Sequence, residues 1–237
     1  SAASDVYKRQ LLSTSIELPT FLKIDDFFLI SSSPERYLKK TSNVVISQPI
    51  KGTAKRGVNL IDDNKIIKAL LSNKKELSEN HMIVDLVRND LSVTAKSGSV
   101  NVDKLCGVYS FSNVHQMIST ISSELEKEIH FTEVIKTSFP MGSMTGAPKQ
   151  MALNLINKFE ENKRNLYSGS VGYITPDGDF DFNVVIRSLI YNYKRKYLSL
   201  SVGGAITSKS IPIKEYEECI IKAQPIFDAL NHVLDEK

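Results

Sequence analysis

The sequence predicts an α+β fold, in which runs of strands are interrupted by helices. Three observations lead to this prediction. Segments rich in β-branched residues follow one another in runs, and they do not alternate regularly with helices as a doubly wound sheet requires. One long helical stretch separates the first strands from the next ones. A turn at Pro176–Gly178 marks a hairpin, which joins antiparallel strands.

The first half of the chain contains strands and then helices. Residues 27–33, "FFLISSS", predict a strand, and "TSNVVISQ" predicts another that ends at Pro49. A helical stretch from about Asp62 to Asn89 follows, with a predicted break near Ser72–Lys74. Residues 98–125 then predict two strands separated by a bend. These patterns indicate two β segments flanking a pair of helices.

The second half begins with a short helix, "FTEVIKTSF", which we expect to stop before Pro140. The stretch "PMGSMTG" predicts a loop leading into a helix with Pro148 near its first turn, where a missing N–H costs nothing. Strands then follow as far as Ala205. A final helix is predicted from about Ile213, kinked or restarted at Pro225.

Composition excludes several function classes. With 41% hydrophobic and 24% charged residues, the chain is typical of a soluble globular protein. No apolar run approaches the roughly 18 residues that span a bilayer, so we expect no membrane segment. A net charge of +3 with scattered lysines argues against nucleic-acid binding. Cys106 and Cys219 form no CxxC pair, which predicts free thiols and a cytoplasmic location.

The opening residues 1–10, "SAASDVYKRQ", do not connect naturally to the rest of the chain. We interpret them as a tag, a cloning scar or a sequencing artefact, and exclude them from the fold prediction.

Two stretches each carry a pair of glutamates three residues apart: Glu76 and Glu79, and Glu215 and Glu218. On a helix this spacing puts both carboxylates on one side. Apolar residues lie within about 60° of Glu79 on the same helix, which marks a face that turns inward: Met82, Ile83 and Leu86. Unpaired charges are costly there, so four inward carboxylates predict a Mg²⁺ site. The alternative is that Glu218 merely pairs with Lys222.

Two glycine-containing turns could bind anions. "PMGSMTGAPK" places small residues at a helix N-terminus, but it lacks the GK[ST] ending of a nucleotide-binding loop. "SVGGAI" offers a second set of backbone amides. Arg187 is predicted within an apolar strand, on the face of Val185 and Leu189, where it would bind a carboxylate or reach water from an edge strand. With Mg²⁺, these features suggest a small di- or polycarboxylate substrate.

Three single residues remain open from the pattern alone. His115 shares a strand face with Met117 and Ile121, which is more often a hydrogen-bonded core position than a catalytic one. Glu35 in "SPER" could equally pair with its neighbour or cap a helix. Lys51 in "SQPIKGTAKRG" is either a surface charge or a nucleophile.

Taken together and in order, these motifs resemble the chorismate-utilising enzymes, a family that includes anthranilate synthase component I and aminodeoxychorismate synthase component I. The matching stretches cover residues 31–230: "SPER", "PIKGT", "KELSENHMIVDLVRNDL", "GSV", "NVHQMIS", "PMGSMTGAPK", "YSGSVGYI", "VVIRS" and "EYEECIIKA". The resemblance implies an α+β fold in which antiparallel sheets enclose the site and helices pack outside. It also implies that residues 11–237 form a chorismate-binding catalytic domain truncated at its N-terminal end.

The resemblance also implies roles for individual residues. Glu76, Glu79, Glu215 and Glu218 would hold Mg²⁺. The substrate carboxylates would be bound by Ser143, Tyr173, Arg187, Lys222 and the amides around Gly203 and Gly204. Gly52 and Thr53 would line the ring, with His115 beside it.

In the family that this sequence resembles, the residue at the position of Lys51 distinguishes two activities. Anthranilate synthases carry alanine at this position, whereas aminodeoxychorismate synthases carry a lysine that acts as a covalent nucleophile. That lysine attacks C2 of chorismate while the C4 hydroxyl leaves, and ammonia then opens the intermediate at C4. Glu35 would be the general acid for the departing hydroxyl.

The resemblance therefore implies amination of chorismate to 4-amino-4-deoxychorismate, on the way to 4-aminobenzoate and folate. A separate glutamine amidotransferase subunit would supply the ammonia. Two alternatives stay open. One is anthranilate or isochorismate chemistry on the same fold. The other is a catalytically incomplete fragment that only binds its partner or chorismate.

Overall fold

The computed structural model describes residues 18–111, 114–208 and 210–235. Residues 1–10, which we interpreted as an artefact, lie outside this described part. The chain divides into two compact units. The larger unit comprises Glu35–Lys163 and Ser170–Val184. The smaller unit comprises Arg164–Gly169 and the described parts of Ser1–Pro34 and Val185–Lys237.

The strands of the described residues are β1 (Leu18–Ile24), β2 (Phe27–Ser33), β3 (Arg36–Thr41), β4 (Val44–Gln48), β5 (Ile50–Lys55), β6 (Asn101–Ser110), β7 (Val114–Glu124), β8 (Ser170–Ile174), β9 (Phe180–Val184), β10 (Ser188–Asn192) and β11 (Tyr197–Leu200). The helices are α1 (Leu60–Ser72), α2 (Lys74–Ser92), α3 (Phe131–Ser138), α4 (Gly142–Thr145), α5 (Lys149–Phe159) and α6 (Pro212–Asp235). No described helix has the length and apolar character that a membrane crossing would need.

The smaller unit is built on a four-stranded antiparallel sheet in the order β1-β2-β10-β11. Ile30 of β2 and Leu189 of β10 pack against Ile226 of α6, with Leu200 and Leu230 around them. The buried positions of α6 recur at helical spacing, which gives the helix one face to pack against the sheet: Glu215, Ala223, Ile226 and Ala229.

The larger unit is built on a seven-stranded antiparallel sheet in the order β5-β7-β4-β3-β9-β8, with β6 also paired to β7. Strand β7 is buried over most of its length because β4, β5 and β6 all pair with it. Met117 of β7, Leu70 of α1 and Cys106 of β6 form a core cluster. His115, Met117 and Ile121, which were predicted to share one face of a strand, all lie on β7, and their side chains are fully buried.

The predicted break in the long helix is confirmed, and Asn73 explains it. Its side-chain oxygen accepts hydrogen bonds from the backbone N–H groups of Lys75 and Glu76, which caps the N-terminus of α2. Its own N–H donates to the carbonyl of Leu70 and ends α1. One asparagine therefore serves both helix ends.

Three local predictions need correction. Arg187 does not lie within a strand: it has a φ of 50° and sits between β9 and β10, which belong to different sheets. The stretch "PMGSMTG" is not all loop, because Gly142–Thr145 form the short helix α4. Of the two alternatives given for Pro225, a kink or a restart, the restart is wrong, because α6 continues through this residue. Residue-type periodicity cannot reveal a change of sheet, which explains the error at Arg187.

The prediction that Met82, Ile83 and Leu86 lie with Glu79 on a buried face of the helix is only partly correct. Glu79 and Ile83 are buried, but Met82 is exposed. The buried face of α2 instead follows Glu79, Asn80, Ile83, Val84, Val87, Asp90 and Leu91.

Candidate active site

Lys51 lies on β5, just after the buried Pro49, and its side chain is half-buried. Its Nζ donates a hydrogen bond to the backbone carbonyl of Ser143, with 3.3 Å between nitrogen and oxygen. Ser143 belongs to α4, in the glycine-containing stretch that the sequence singled out. The larger unit therefore brings two of the predicted site residues into direct contact.

Glu35 lies between β2 and β3 and is only 5% exposed. It lines a small pocket of the larger unit together with Ser143, Ser47 and Asp90. The cavity volume of about 20 Å³ is enough for one water-sized molecule. Glu35 thus lines the same pocket as Ser143, whose carbonyl oxygen accepts the hydrogen bond from Lys51.

Asp90 at this pocket was not picked out as a site residue. Lys149 Nζ, from the "GAPK" stretch, lies 2.7 Å from Asp90 Oδ2 and 3.0 Å from the carbonyl oxygen of Ser138. Burial raises the pKa of Asp90, and the hydrogen bond from Lys149 opposes that rise. Since 59 residues separate the two, no local pattern in the sequence reveals the pair.

Tyr37 lines the same pocket, and its hydroxyl lies 2.7 Å from Ser138 Oγ. Burial raises the pKa of Tyr37 far above its usual range.

His115 is fully buried, and both of its ring nitrogens are hydrogen-bonded. Nε2 lies 2.9 Å from Asp63 Oδ1, and Nδ1 lies 2.8 Å from Ser110 Oγ. Asp63 also accepts hydrogen bonds from Arg56 Nε at 2.8 Å and from the N–H of Gly57 at 2.7 Å. The guanidinium of Arg56 is the main cause that holds the pKa of Asp63 well below its usual range. Sequence reasoning named His115 but missed its partners.

Gly52 is a position where glycine is required. Its φ is 89°, and an added Cβ would lie 3.3 Å from Glu76 Oε2 and 3.4 Å from Met117 Cβ. Glu76 therefore approaches the backbone beside Lys51. Of the other predicted site residues in this unit, Thr53 is exposed on β5 and Tyr173 is 62% exposed on β8.

The smaller unit brings together a second set of predicted residues. Arg187 Nη1 donates to the backbone carbonyl of Lys222 at 2.7 Å, and burial lowers the pKa of Arg187. Lys222 Nζ donates to the carbonyl of Gly203 at 3.0 Å and also pairs with Glu218. The i,i+4 pairing that we gave as the alternative for Glu218 is thus present. A Cβ on Gly204 would lie 3.6 Å from Glu215 Oε2.

The four predicted metal ligands divide between the units, with Glu76 and Glu79 in the larger one and Glu215 and Glu218 in the smaller one. Glu76 Oε2 faces Gly52 in the larger unit, and Glu215 Oε2 faces Gly204 in the smaller unit, so neither glycine places a side chain next to the carboxylate. Carboxylate oxygens are ligands suited to Mg²⁺, and the donor set fits that ion. Across the described residues, no group of three or more histidine, cysteine, aspartate or glutamate side chains is already arranged around a metal position. The assignment stays a prediction.

Comparison with known proteins identifies the family. Residues 2–228 match the family model described as chorismate binding enzyme. The chain belongs to the chorismate-binding enzyme family. This confirms the resemblance drawn from the ordered motifs.

The relatives that match this chain carry the names of two different enzymes. It is 39% identical over 212 residues to an aminodeoxychorismate synthase of Streptomyces griseus, covering 89% of this chain and 29% of that protein. It is 36% identical over 220 residues to anthranilate synthase component 1 of Bacillus pumilus, covering 92% of this chain and 42% of that protein. The chain therefore spans less than half the length of either relative.

A solved structure from the family supports the fold. The chain superposes on anthranilate synthase component I from Streptococcus pneumoniae with a TM-score of 0.84 and 30% sequence identity. The match covers 94% of this chain and 49% of the other. The predicted α+β chorismate-binding fold is confirmed.

Proposed function

We propose that this chain carries the catalytic part of an enzyme that aminates chorismate to 4-amino-4-deoxychorismate. The observation that carries the proposal is the position of Lys51. Its amine is half-buried, hydrogen-bonded to Ser143, and next to Gly52, whose missing side chain leaves room for Glu76. A lysine that only served as a surface charge would not need this setting.

Lys51 acts as the nucleophile in this proposal. Its uncharged Nζ forms a bond to C2 of chorismate while the bond between C4 and its hydroxyl breaks. Ammonia then bonds to C4, and the lysine leaves C2 with its electron pair. The nitrogen from ammonia replaces one hydroxyl, which departs as water, so the atoms balance.

Glu35 supplies the proton that the departing hydroxyl needs. It is buried and lines the pocket that Ser143 also lines. A carboxyl group acting as general acid must hold a proton near neutral pH.

The remaining residues bind the substrate. Arg187, Lys222 and the amides around Gly203 and Gly204 would receive its carboxylates, together with Ser143 and Tyr173. Gly52 and Thr53 would line the ring, with His115 beside it. Glu76, Glu79, Glu215 and Glu218 would hold Mg²⁺, which when bound would neutralise the ring carboxylate. The ammonia would come from a glutamine amidotransferase subunit.

A second candidate is anthranilate synthesis, because a relative of that name is 36% identical to this chain. Lys51 favours the first candidate, since the resemblance places alanine there in anthranilate synthases. Isochorismate chemistry and a fragment that binds without turnover are further alternatives.

The product distinguishes these possibilities. The chain is incubated with chorismate, Mg²⁺ and an ammonium salt, and the products are identified by liquid chromatography and mass spectrometry. The proposal expects 4-amino-4-deoxychorismate, formed only when ammonium is present. Anthranilate or isochorismate would support the other activities, and chorismate binding with no product would support a fragment that lacks turnover.

A further inference from the structure

A chain of hydrogen-bonded side chains connects four elements of the larger unit. Arg56 follows β5, Asp63 lies in the first turn of α1, His115 is on β7, and Ser110 ends β6. The contacts run from Arg56 to Asp63, from Asp63 to His115, and from His115 to Ser110. Neither the pattern of residues nor the proposed function accounts for Asp63 and Ser110.

The carboxylate of Asp63 determines where the proton of His115 sits. Arg56 and the N–H of Gly57 both donate to it, which favours the ionised form, and an ionised carboxylate only accepts hydrogen bonds. Nε2 of His115 faces Asp63 Oδ1 at 2.9 Å, so Nε2 must carry the proton and donate it. In a neutral imidazole, Nδ1 then has a lone pair, which accepts the hydroxyl hydrogen of Ser110.

Asp63 is itself held in one orientation. Arg56 binds through its guanidinium, and Gly57 donates to the same oxygen that faces His115. Gly57 has no room for a side chain, because a Cβ there would lie 2.7 Å from both Asp62 Cβ and the backbone nitrogen of Asp63. The carboxylate cannot rotate away from the imidazole without losing these contacts.

The same contacts connect to the strand of Lys51. Arg56 directly follows β5, and Ala54 of β5 pairs with His115 in the sheet. Asp63 thus ties the end of the nucleophile's strand to the imidazole of β7.

We propose that Asp63 is a positioning residue that holds His115 as its Nε2–H tautomer and fixes the end of the strand that carries Lys51. Ser110 holds the other ring nitrogen, Nδ1. The inference rests on the proposed function only in placing His115 beside the substrate ring. The positioning of the imidazole can be measured without any turnover.

Nitrogen-15 NMR of the histidine rings in the full 237-residue chain tests the positioning directly. His115 signals are assigned by their loss in His115→Gln. The proposal expects a proton on Nε2 and none on Nδ1 near neutral pH. In Asp63→Asn the side-chain oxygen would face Arg56 and the side-chain N–H would face the imidazole. Nε2 would then have to accept a hydrogen bond, so the single Nε2–H tautomer should be lost. A proton on Nδ1 in the unmodified chain, or an unchanged spectrum in Asp63→Asn, would overturn the proposal.

Two further variants keep the test decisive if Asp63→Asn does not fold. Ser110 is at an exposed position, so Ser110→Ala should fold, keep the Nε2 proton and shift only the Nδ1 resonance. Asp62→Asn is the matched control, since Asp62 lies in the same helix turn but is not among the partners of His115. An unshifted Nδ1 resonance in Ser110→Ala, or an altered His115 spectrum in Asp62→Asn, would count against the proposal.

Kinetics then connects the positioning to the reaction. Partners that orient metal-bound histidines typically contribute about ten- to a hundredfold to activity, and by analogy kcat for amination should fall by about tenfold or more in Asp63→Asn. The KM for chorismate should change by less than about twofold. Asp63→Glu keeps the charge and should recover part of kcat. An unaltered kcat would overturn the role in the reaction, whereas an unmodified chain that makes no product would refute the proposed function and leave the NMR result standing.

Discussion

In the larger unit, Lys51 Nζ and the carbonyl oxygen of Ser143 are hydrogen-bonded at 3.3 Å, although 92 residues separate them in sequence. A carbonyl oxygen only accepts, so this contact uses one N–H of the lysine. An uncharged amine in the same place would keep its lone pair available for a bond to carbon. The contact is therefore compatible with the role of nucleophile that we propose for this amine.

Replacing Lys51 with alanine tests that role by kinetics. The Lys51→Ala variant should lose amination by more than about a thousandfold, because removal of a covalent nucleophile removes the reaction path. Lys55→Ala is the matched control, since Lys55 lies on the same strand and is exposed. Rates are measured with chorismate and an ammonium salt. Comparable rates in the two variants would show that Lys51 has no covalent role.

The proton-donating role of Glu35 predicts a different loss. Glu35→Gln should lower kcat by about a hundredfold or more, because an amide cannot give a proton to the departing hydroxyl. The KM for chorismate should change little if the residue acts in the chemical step. Glu161→Gln, at an exposed position, serves as control. A raised KM with an unchanged kcat would show that Glu35 only binds substrate.

The metal assignment predicts how activity responds to Mg²⁺. Treatment with EDTA should abolish activity, and added Mg²⁺ should restore it. Glu79→Gln and Glu215→Gln should each raise the Mg²⁺ concentration needed for half-maximal activity by about tenfold or more. Glu217→Gln should not, because Glu217 lies on the exposed face of α6. Equal Mg²⁺ requirements in all three variants would refute the assignment.

The lowered pKa of Asp63 predicts that the free energy of unfolding depends on pH. Its pKa is lower in the folded chain than in the unfolded one, so at acidic pH the unfolded chain binds the proton more readily. The stabilisation is complete above the ordinary carboxyl pKa of about 4 and is lost as pH falls towards the folded value. Urea unfolding should show Asp63→Asn less stable than the unmodified chain at about pH 7, with a smaller difference at about pH 3. A difference that does not shrink on acidification would contradict this prediction.

Local signals in the sequence were sufficient for much of the fold. The break at Asn73 follows from a side chain that can cap a helix, and the strand at 27–33 follows from its residue types. Arg187 was misplaced because the chain leaves one sheet and enters another within an apolar run, and that change depends on tertiary packing.

The candidate site was less predictable for the same reason. The contact between Asp63 and His115 joins residues 52 positions apart, and that between Asp90 and Lys149 joins residues 59 positions apart. Neither spacing matches the period of a helix or a strand, so only the folded chain reveals them. Glu35, Lys51 and Ser143 could be named from motifs, but the hydrogen bond between Lys51 and the carbonyl of Ser143 could not.

Mass spectrometry of the protein itself tests the central claim most directly. The chain is incubated with chorismate and Mg²⁺ in the absence of ammonia, quenched, digested and sequenced by fragmentation. We expect the peptide that contains Lys51 to gain the mass of chorismate less one water, and the gain to disappear when ammonium is added. A chain that aminates chorismate normally but never shows this adduct would contradict the account.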